Sequence, residues 1–500
     1  MRLIDPDAIG AAYEAGLGAA KRRAIGAHYT PRAVADGLAA IALDGLSDRA
    51  VVCDPACGAG AMLLAAGRAL VARGAPRAKV AAEQLWGVDR DSAAIGAARA
   101  AIVAWSGVDP GQHLAVGDGL RAGERWHGRF DLVLGNPPFL NQLRSATVRT
   151  ASVPDSLVSV VRPYTDTAWL FLAAAPGLVR RGGRIVLIQP QSVAAARDAG
   201  PVRDAVGGAA VLEGMWSSCE PIFGASVLVC APVLRVGAHP PRSVRRWTGA
   251  TLEEIDPVAP LLDGSWSPLL VGPDPPPPFA LRATHGTIGA IATATAGFRD
   301  EFYGLAPHLV DERAANEATH PKLVTAGLVE PGRLVWGERQ VRVAGRRYDA
   351  PRVELASLER GGSARLLRWV RARIVPKVLV ATQTRVIEAA ADVAGTTVPS
   401  TPVISVEGCD PWLVAAALTA PPVTAWAATY HAGKARNAGA IKLAARDVLD
   451  VALPGDAARW REGASLLAAG QLLAAAEVLN AAHGGDEEVL RWWARRARLT

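Results

Sequence analysis

The stretch "VVCDPACGAGAMLLAAGRALVARG", residues 51–74, decides how the first half of this 500-residue chain is read. It opens as a short run of β-branched and apolar residues and turns at Asp54 and Pro55 into a Gly58-x-Gly60 loop. It then continues as an apolar helix that stops at Gly74. A buried strand feeding a helix through a glycine loop is the first half of a parallel βαβ unit. The alternation repeats downstream. "QLWGVDRD" reads as a strand and "SAAIGAARAAIVAWSG" as a helix, and "HLAVGDGL" and "FDLVLGNPPF" read as two more strands. "DTAWLFLAAAPGLVRRGG" reads as a helix closed by its Gly-Gly pair, followed by the strands "RIVLIQP" and "SVLVCAPVLRV". The pattern predicts an α/β protein built on a doubly wound, Rossmann-like sheet.

Five hundred residues exceed one typical core, so two or three domains are expected. Apolar residues make up 50% of the chain, which excludes a disordered protein. The composition changes at "VGPDPPPPFALRA", where Pro275 to Pro278 read as a stiff polyproline spacer. We therefore expect a first domain over residues 1–271, with a short helical segment at 1–25, and a proline-rich linker over 272–280. A second, mixed α/β domain with C-terminal helices is expected over 281–500. The tail "EEVLRWWARRARLT" reads as a short amphipathic basic helix. No uninterrupted apolar run reaches about 18 residues, and "MRLIDPDAIG" lacks a basic region followed by an apolar one, so a cytoplasmic protein without a membrane partner is expected. The five cysteines, Cys53, Cys57, Cys219, Cys230 and Cys409, form no C-x-x-C pair, so buried thiols and no metal are expected. The net charge of +7 is uneven: residues 333–377 alone carry eleven Arg and one Lys against four acids. Such a block suits a polyanion partner, and it equally suits a solvated surface.

Ligands of an open parallel sheet lie outside the carboxyl ends of its strands, and the unusual residues of this chain fall at those ends. Asp54 closes one strand, with Gly58 and Gly60 at the mouth of the next helix. The loop is not the dinucleotide fingerprint, because the third glycine position holds Leu63. Asp89 closes the next strand, where a carboxylate can accept both ribose hydroxyls of a nucleoside, and Asp118 closes the one after. Taken singly, each aspartate is equally a turn former or a helix cap; in series they describe a nucleoside-shaped slot.

With "GAHYTP" (26–31), "DPACGAG" (54–60), "GVDRD" (87–91), "GDGL" (117–120) and "NPPF" (136–139) in that order, the chain resembles class I S-adenosylmethionine-dependent N6-adenine DNA methyltransferases of the gamma motif order. The resemblance is close over the first half and holds in outline over the second. It departs at Ala59, where the family often has serine. It implies S-adenosyl-L-methionine as cofactor, with Tyr29 and Thr30 helping to hold the methionine moiety. Asp54, Ala56, Cys57 and Gly58 would line the same end, with Gly60 in the same loop. Asp89 would bind the ribose and Asp118 would meet the cofactor adenine. It further implies Asn136, Pro137, Pro138 and Phe139 as the catalytic residues, no metal, and restriction-modification-like DNA methylation.

The chemistry asks for these residue types. The lone pair of an adenine amino nitrogen is delocalised into the ring, so acceptors must hold both hydrogens before it attacks. The Asn136 amide oxygen and the Pro137 carbonyl supply two such acceptors, and consecutive prolines fix where that carbonyl points. A target base lifted out of the duplex needs an aromatic platform, a role suited to Phe139, with Phe223 in "EPIFGASVLVC" as a second ring. In the second half, Arg339, Arg342 and Arg346, along with Arg333, Trp336 and Arg347, are candidates for contacts to phosphates and base edges of double-stranded DNA. Glutamine methyltransferases of release factors use the same type of motif, and an rRNA adenine methyltransferase and a catalytically silent DNA-binding subunit are further readings. The roughly two hundred residues beyond the proline spacer favour a DNA reader. A restriction endonuclease or other defence subunit would be a separate partner.

Overall fold

The computed structural model describes residues 5–18, 30–139, 153–223, 227–259, 264–272, 274–297 and 299–499. The chain divides into two compact units, Met1–Pro273 with Arg436–Ala438, and Asp274–Ala435 with Gly439–Thr500.

The first unit is built on one sheet. Its strands are β1 (Val52–Asp54), β2 (Leu85–Asp89), β3 (Leu114–Val116), β4 (Phe130–Gly135), β5 (Val179–Leu187), β6 (Gln189–Pro190), β7 (Ala210–Ser217), β8 (Val229–Val236), β9 (Val244–Thr248) and β10 (Glu253–Val258). The order is β10-β9-β7-β8-β5-β4-β1-β2-β3, with β6 beside β8. The run β3-β2-β1-β4-β5 is parallel throughout, and β8 inserts antiparallel between β5 and β7. The α/β class with a doubly wound sheet is thus what the alternation in sequence predicts.

Both faces of the sheet are covered, which is why its strands read as near-continuous apolar runs. Val52, Leu85, Leu132, Leu134 and Val186 point to one face, where they join α2 (Arg32–Leu43), α3 (Ala61–Ala72) and α4 (Ser92–Ser106). Cys53, Trp86, Val133, Ile185 and Leu187 point to the other and pack with α5 (Thr167–Ala174) and α6 (Gly200–Ala209). Each such fully buried aliphatic side chain contributes about 1.5–3 kcal/mol. A further helix, α1 (Pro6–Gly16), precedes these, capped by Asp5 and carrying Pro6 in its first turn.

One reading of the sequence needs correction. The helix expected to run to the Gly182–Gly183 pair ends at Ala174, passes through a 3₁₀ turn at Ala175–Gly177, and gives way to β5 from Val179. Pro176 cannot extend an α-helix, and Gly182 at φ 83° lies inside the strand, where the β4–β5 register shifts.

The second unit is mixed α/β. An antiparallel sheet joins Thr293–Ala296, Ile404–Glu407, Lys377–Val380 and Ala389–Asp392 in that spatial order. Helices Pro411–Thr419 and Pro421–Tyr430 pack into the core it shares with the later helices. A second sheet joins Leu309–Asp311, Pro351–Val353, Lys322–Val324 and Thr397–Pro399. Two small hairpins complete the strands, Val329–Glu330 with Arg333–Leu334 and Val341–Val343 with Arg346–Tyr348. The C-terminal helix Glu487–Ala497 buries Trp492 and Trp493, so its amphipathic pattern serves packing.

Candidate active site

The site forms where the strand order reverses, between β1 and β4, with β2 and β3 extending its rim. After β1, Asp54 Oδ1 accepts the Ala56 N–H at 3.0 Å, Cys57 N–H donates to the Val88 carbonyl at 2.9 Å, and Gly58 N–H donates to Asp89 Oδ2 at 2.9 Å. Gly58 and Gly60 take φ of 51° and 87°, a backbone that side chains with a Cβ rarely adopt. The glycine loop is thereby tied to the end of β2. Asp89 Oδ1 also accepts the Asp91 N–H at 2.9 Å, so both its oxygens hold the loops while keeping further lone pairs for a ligand. Asp118 accepts the Leu120 N–H at 3.1 Å and pairs with Arg90 at 2.6 Å.

Asp54 is 1% exposed. Burial, assisted by the charge of Asp89, pushes its carboxyl up to about 7 against the opposing hydrogen bond from Ala56. A buried carboxyl beside a second acid is a place where a ligand's cationic group is favoured. Burial likewise pushes the Cys53 and Cys57 thiols well above the ordinary thiol range, which favours their neutral form. A buried carboxylate, a glycine loop and two strand-end carboxylates together match the groups of a nucleoside that carries an ammonium.

The end of β4 is pressed against this pocket. A Cβ on Gly135 would fall 2.4 Å from Asp54 Oδ1, so only glycine fits there. The next residue, Asn136, donates its Nδ2–H to Thr30 Oγ1 at 3.0 Å. Pro137 is buried, and Pro138 and Phe139 are half-buried. The Phe139 and Phe223 ring centroids lie 5.9 Å apart with planes at 58°. The structure thus brings together Asp54, Ala56, Cys57, Gly58, Gly60, Asp89, Asn136 to Phe139, Phe223 and Thr30, with Asp118 on the rim; Tyr29 lies outside the described residues. The two rings touch one another, rather than standing about 7 Å apart as a base between two stacking surfaces requires.

Three residues were not singled out from sequence. Tyr13 of α1 donates its hydroxyl to Asp91 Oδ2 at 2.9 Å, Arg90 holds Asp118, and Gly135 admits Asp54. Only Gly135 had a local signal, its place directly before Asn-Pro-Pro.

The arginines belong to the second unit. Arg339 pairs with Glu330 at 2.5 Å and donates to the Gly327 carbonyl, and Arg333 pairs with Glu338 at 2.8 Å. The Trp336 indole donates to the Pro351 carbonyl at 3.0 Å and is overlaid by Arg352, so it is part of the scaffold. Arg342, Arg346 and Arg347 are exposed on the hairpin Val341–Val343/Arg346–Tyr348. Among the described residues, no carboxylate lies in ion-pair range of these three. Also among the described residues, no cluster of His, Cys, Asp and Glu could hold a metal ion, and no helix is long and apolar enough to cross a membrane.

Residues 4–237 match the family model described as N-6 DNA Methylase. No curated protein matches the chain in sequence. Among solved structures, the Type IIL restriction-modification enzyme MmeI in complex with DNA aligns with 99% of this chain and 82% of its own, at TM-score 0.66 and 12% identity. The DrdV–DNA complex aligns with 80% of this chain and 51% of its own, at TM-score 0.50 and 13% identity. A type I restriction-modification methyltransferase subunit from Streptococcus thermophilus aligns with 48% of this chain and 51% of its own, at TM-score 0.37 and 22% identity. At these identities the likenesses to MmeI and DrdV are ones of fold.

Proposed function

We propose that this chain, whose residues 4–237 match the N-6 DNA Methylase family model, transfers a methyl group from S-adenosyl-L-methionine to the N6 amino group of adenine at a specific sequence of double-stranded DNA. The observation that carries the reading is the junction at Gly135, where the backbone that leads into Asn136-Pro137-Pro138-Phe139 packs against the buried carboxyl of Asp54.

The residues present fit the cofactor. Asp54 would face the ammonium of its methionine moiety, the Ala56 to Gly60 loop would line the same end, and Asp89 and Asp118 would take the ribose and adenine. When bound, the cofactor supplies a methyl group already activated by its sulfonium, so orientation of the acceptor is the chain's main task. The Asn136 amide oxygen and the Pro137 carbonyl accept the two hydrogens of the target amino group, drawing the nitrogen toward a pyramidal geometry whose lone pair can attack. The pocket lies at the edge of a sheet, so the adenine must leave its stack to reach it, and Phe139 gives the extruded base a surface to stack on once its ring parts from Phe223.

DNA as the partner is supported by the extent of the fold likeness to MmeI, a structure described in complex with DNA, over both units. It is also supported by Arg342, Arg346 and Arg347, exposed on the hairpin of the second unit with no carboxylate in ion-pair range among the described residues. The test is incubation with tritiated cofactor and genomic DNA, followed by modification-sensitive sequencing. N6-methyladenine at one recurring sequence is expected, and label appearing only in protein or RNA would overturn the proposal.

A further inference from the structure

The carboxamide of Asn136 has two ends of nearly equal size and opposite hydrogen-bonding character. Its oxygen accepts; its nitrogen only donates. If the nitrogen end faced an amino group, two donors would meet and the group would lose an acceptor. The prolines that follow Asn136 restrict its backbone but do not select between the two ends of its side chain. A neighbouring group must hold the side chain in place.

Thr30 is 4% exposed, and its Oγ1 lies 3.0 Å from Asn136 Nδ2, across 106 residues of sequence. It is brought there by the segment that leads into α2, whose N-cap is the next residue, Pro31. A hydroxyl can donate as well as accept; here it accepts from the nitrogen end of the amide, which leaves the oxygen end turned away from Thr30. The resemblance in sequence implies a different duty for this residue, contact with the methionine moiety of the cofactor.

We propose that Thr30 is a positioning residue for Asn136: its hydroxyl holds the carboxamide with the nitrogen engaged, so that the oxygen is presented to the target amino group. The inference rests on the reading of Asn136 as an acceptor in methyl transfer. Thr30 acts through a neighbouring side chain and touches neither substrate nor the transferred methyl.

Three proteins test it: wild type, Thr30→Ser, which keeps the hydroxyl, and Thr30→Val, which keeps the shape without it. In Thr30→Val, turnover on DNA should fall about 10- to 100-fold while cofactor Kd, measured by calorimetry, stays within about twofold; Thr30→Ser should recover most of the turnover. A Thr30→Val protein with weakened cofactor binding and unchanged turnover of bound cofactor would assign the hydroxyl to the cofactor and overturn the proposal. A second readout needs no substrate. In protein labelled with ¹⁵N-asparagine, the Asn136 side-chain amide, assigned by its loss in Asn136→Ala, should shift and exchange faster with solvent in Thr30→Val than in wild type or Thr30→Ser. An Asn136 signal identical in all three proteins would overturn the proposal by itself. If that signal responds as expected but wild type methylates no DNA, the positioning role stands and the assignment of substrate fails.

Discussion

Asn136 sits between a glycine that only glycine can replace and a proline that fixes the next peptide plane. Its amide is therefore delivered with little freedom, which is what a reaction limited by orientation requires. Asn136→Ala should lower turnover by about 10²- to 10³-fold, the scale seen when one preorganised polar group is removed from a reacting centre. Cofactor binding should survive, as calorimetry can establish; near-wild-type turnover would remove Asn136 from the chemistry. Asp54 carries a different signature. Its carboxyl in the folded chain is raised to about 7, chiefly by burial, so between about pH 4 and 7 the folded state holds a proton that the unfolded state releases. The stability contributed by the neutral acid is complete below about pH 4 and is lost as the pH rises through about 7. A bound ammonium prefers the ionised form, so cofactor affinity should run the opposite way. It should rise about tenfold per pH unit up to about 7 and then level off. A flat affinity profile from pH 5 to 8 would separate Asp54 from the cofactor.

Among the elements, the hairpin Val341–Val343/Arg346–Tyr348 is the most unusual. Its loop residues, Ala344 and Gly345, have φ of 47° and 87°, the positive values that two-residue hairpin loops need. Arg342 and Arg347 stand directly opposite one another across the two strands, a like-charge pairing that weakens a hairpin. Val343 and Tyr348 are buried and anchor it to the core. A polyanion would turn that repulsion into attraction. Replacing Arg342 and Arg347 with Ala should reduce the slope of log Kd for DNA against log salt by about one for each arginine. Arg339→Ala, whose guanidinium is already held by Glu330, should leave the slope unchanged. Equal effects at all three positions would mean that the block acts as diffuse charge. The same elements explain what sequence could and could not convey. Strands β1, β2, β4 and β8 are legible because they are buried on both faces. β10 reads "EEIDPV" and is largely exposed, so it offers neither an apolar run nor a clean alternation. The strand-end residues Asp54, Asp89 and Asn136 were legible for the same reason as their strands. The Thr30–Asn136 and Tyr13–Asp91 hydrogen bonds join residues 106 and 78 positions apart, and no local pattern encodes them.

At the scale of the whole chain, each unit has its own hydrophobic cores, and the second has a buried ion pair at its centre. Lys377 is fully buried, donating to Asp392 Oδ2 at 2.6 Å and to the Val375 carbonyl at 3.1 Å. Asp392 also accepts from the Thr397 hydroxyl at 2.6 Å and from the Thr396 and Thr397 N–H groups. The pair ties two neighbouring strands of the antiparallel sheet, and Asp392 organises the loop that leads to Thr397. Lys377→Met leaves a buried carboxylate without its cation, which costs about 3–5 kcal/mol. Because the residues proposed to hold the cofactor all belong to the first unit, the loss should fall on one function first. In a urea titration of Lys377→Met, DNA binding should disappear at lower denaturant than cofactor binding, whereas in wild type the two should be lost at closer concentrations. If the variant instead loses both together, the first unit does not keep its fold when the second opens, and the two compact units are one cooperative body.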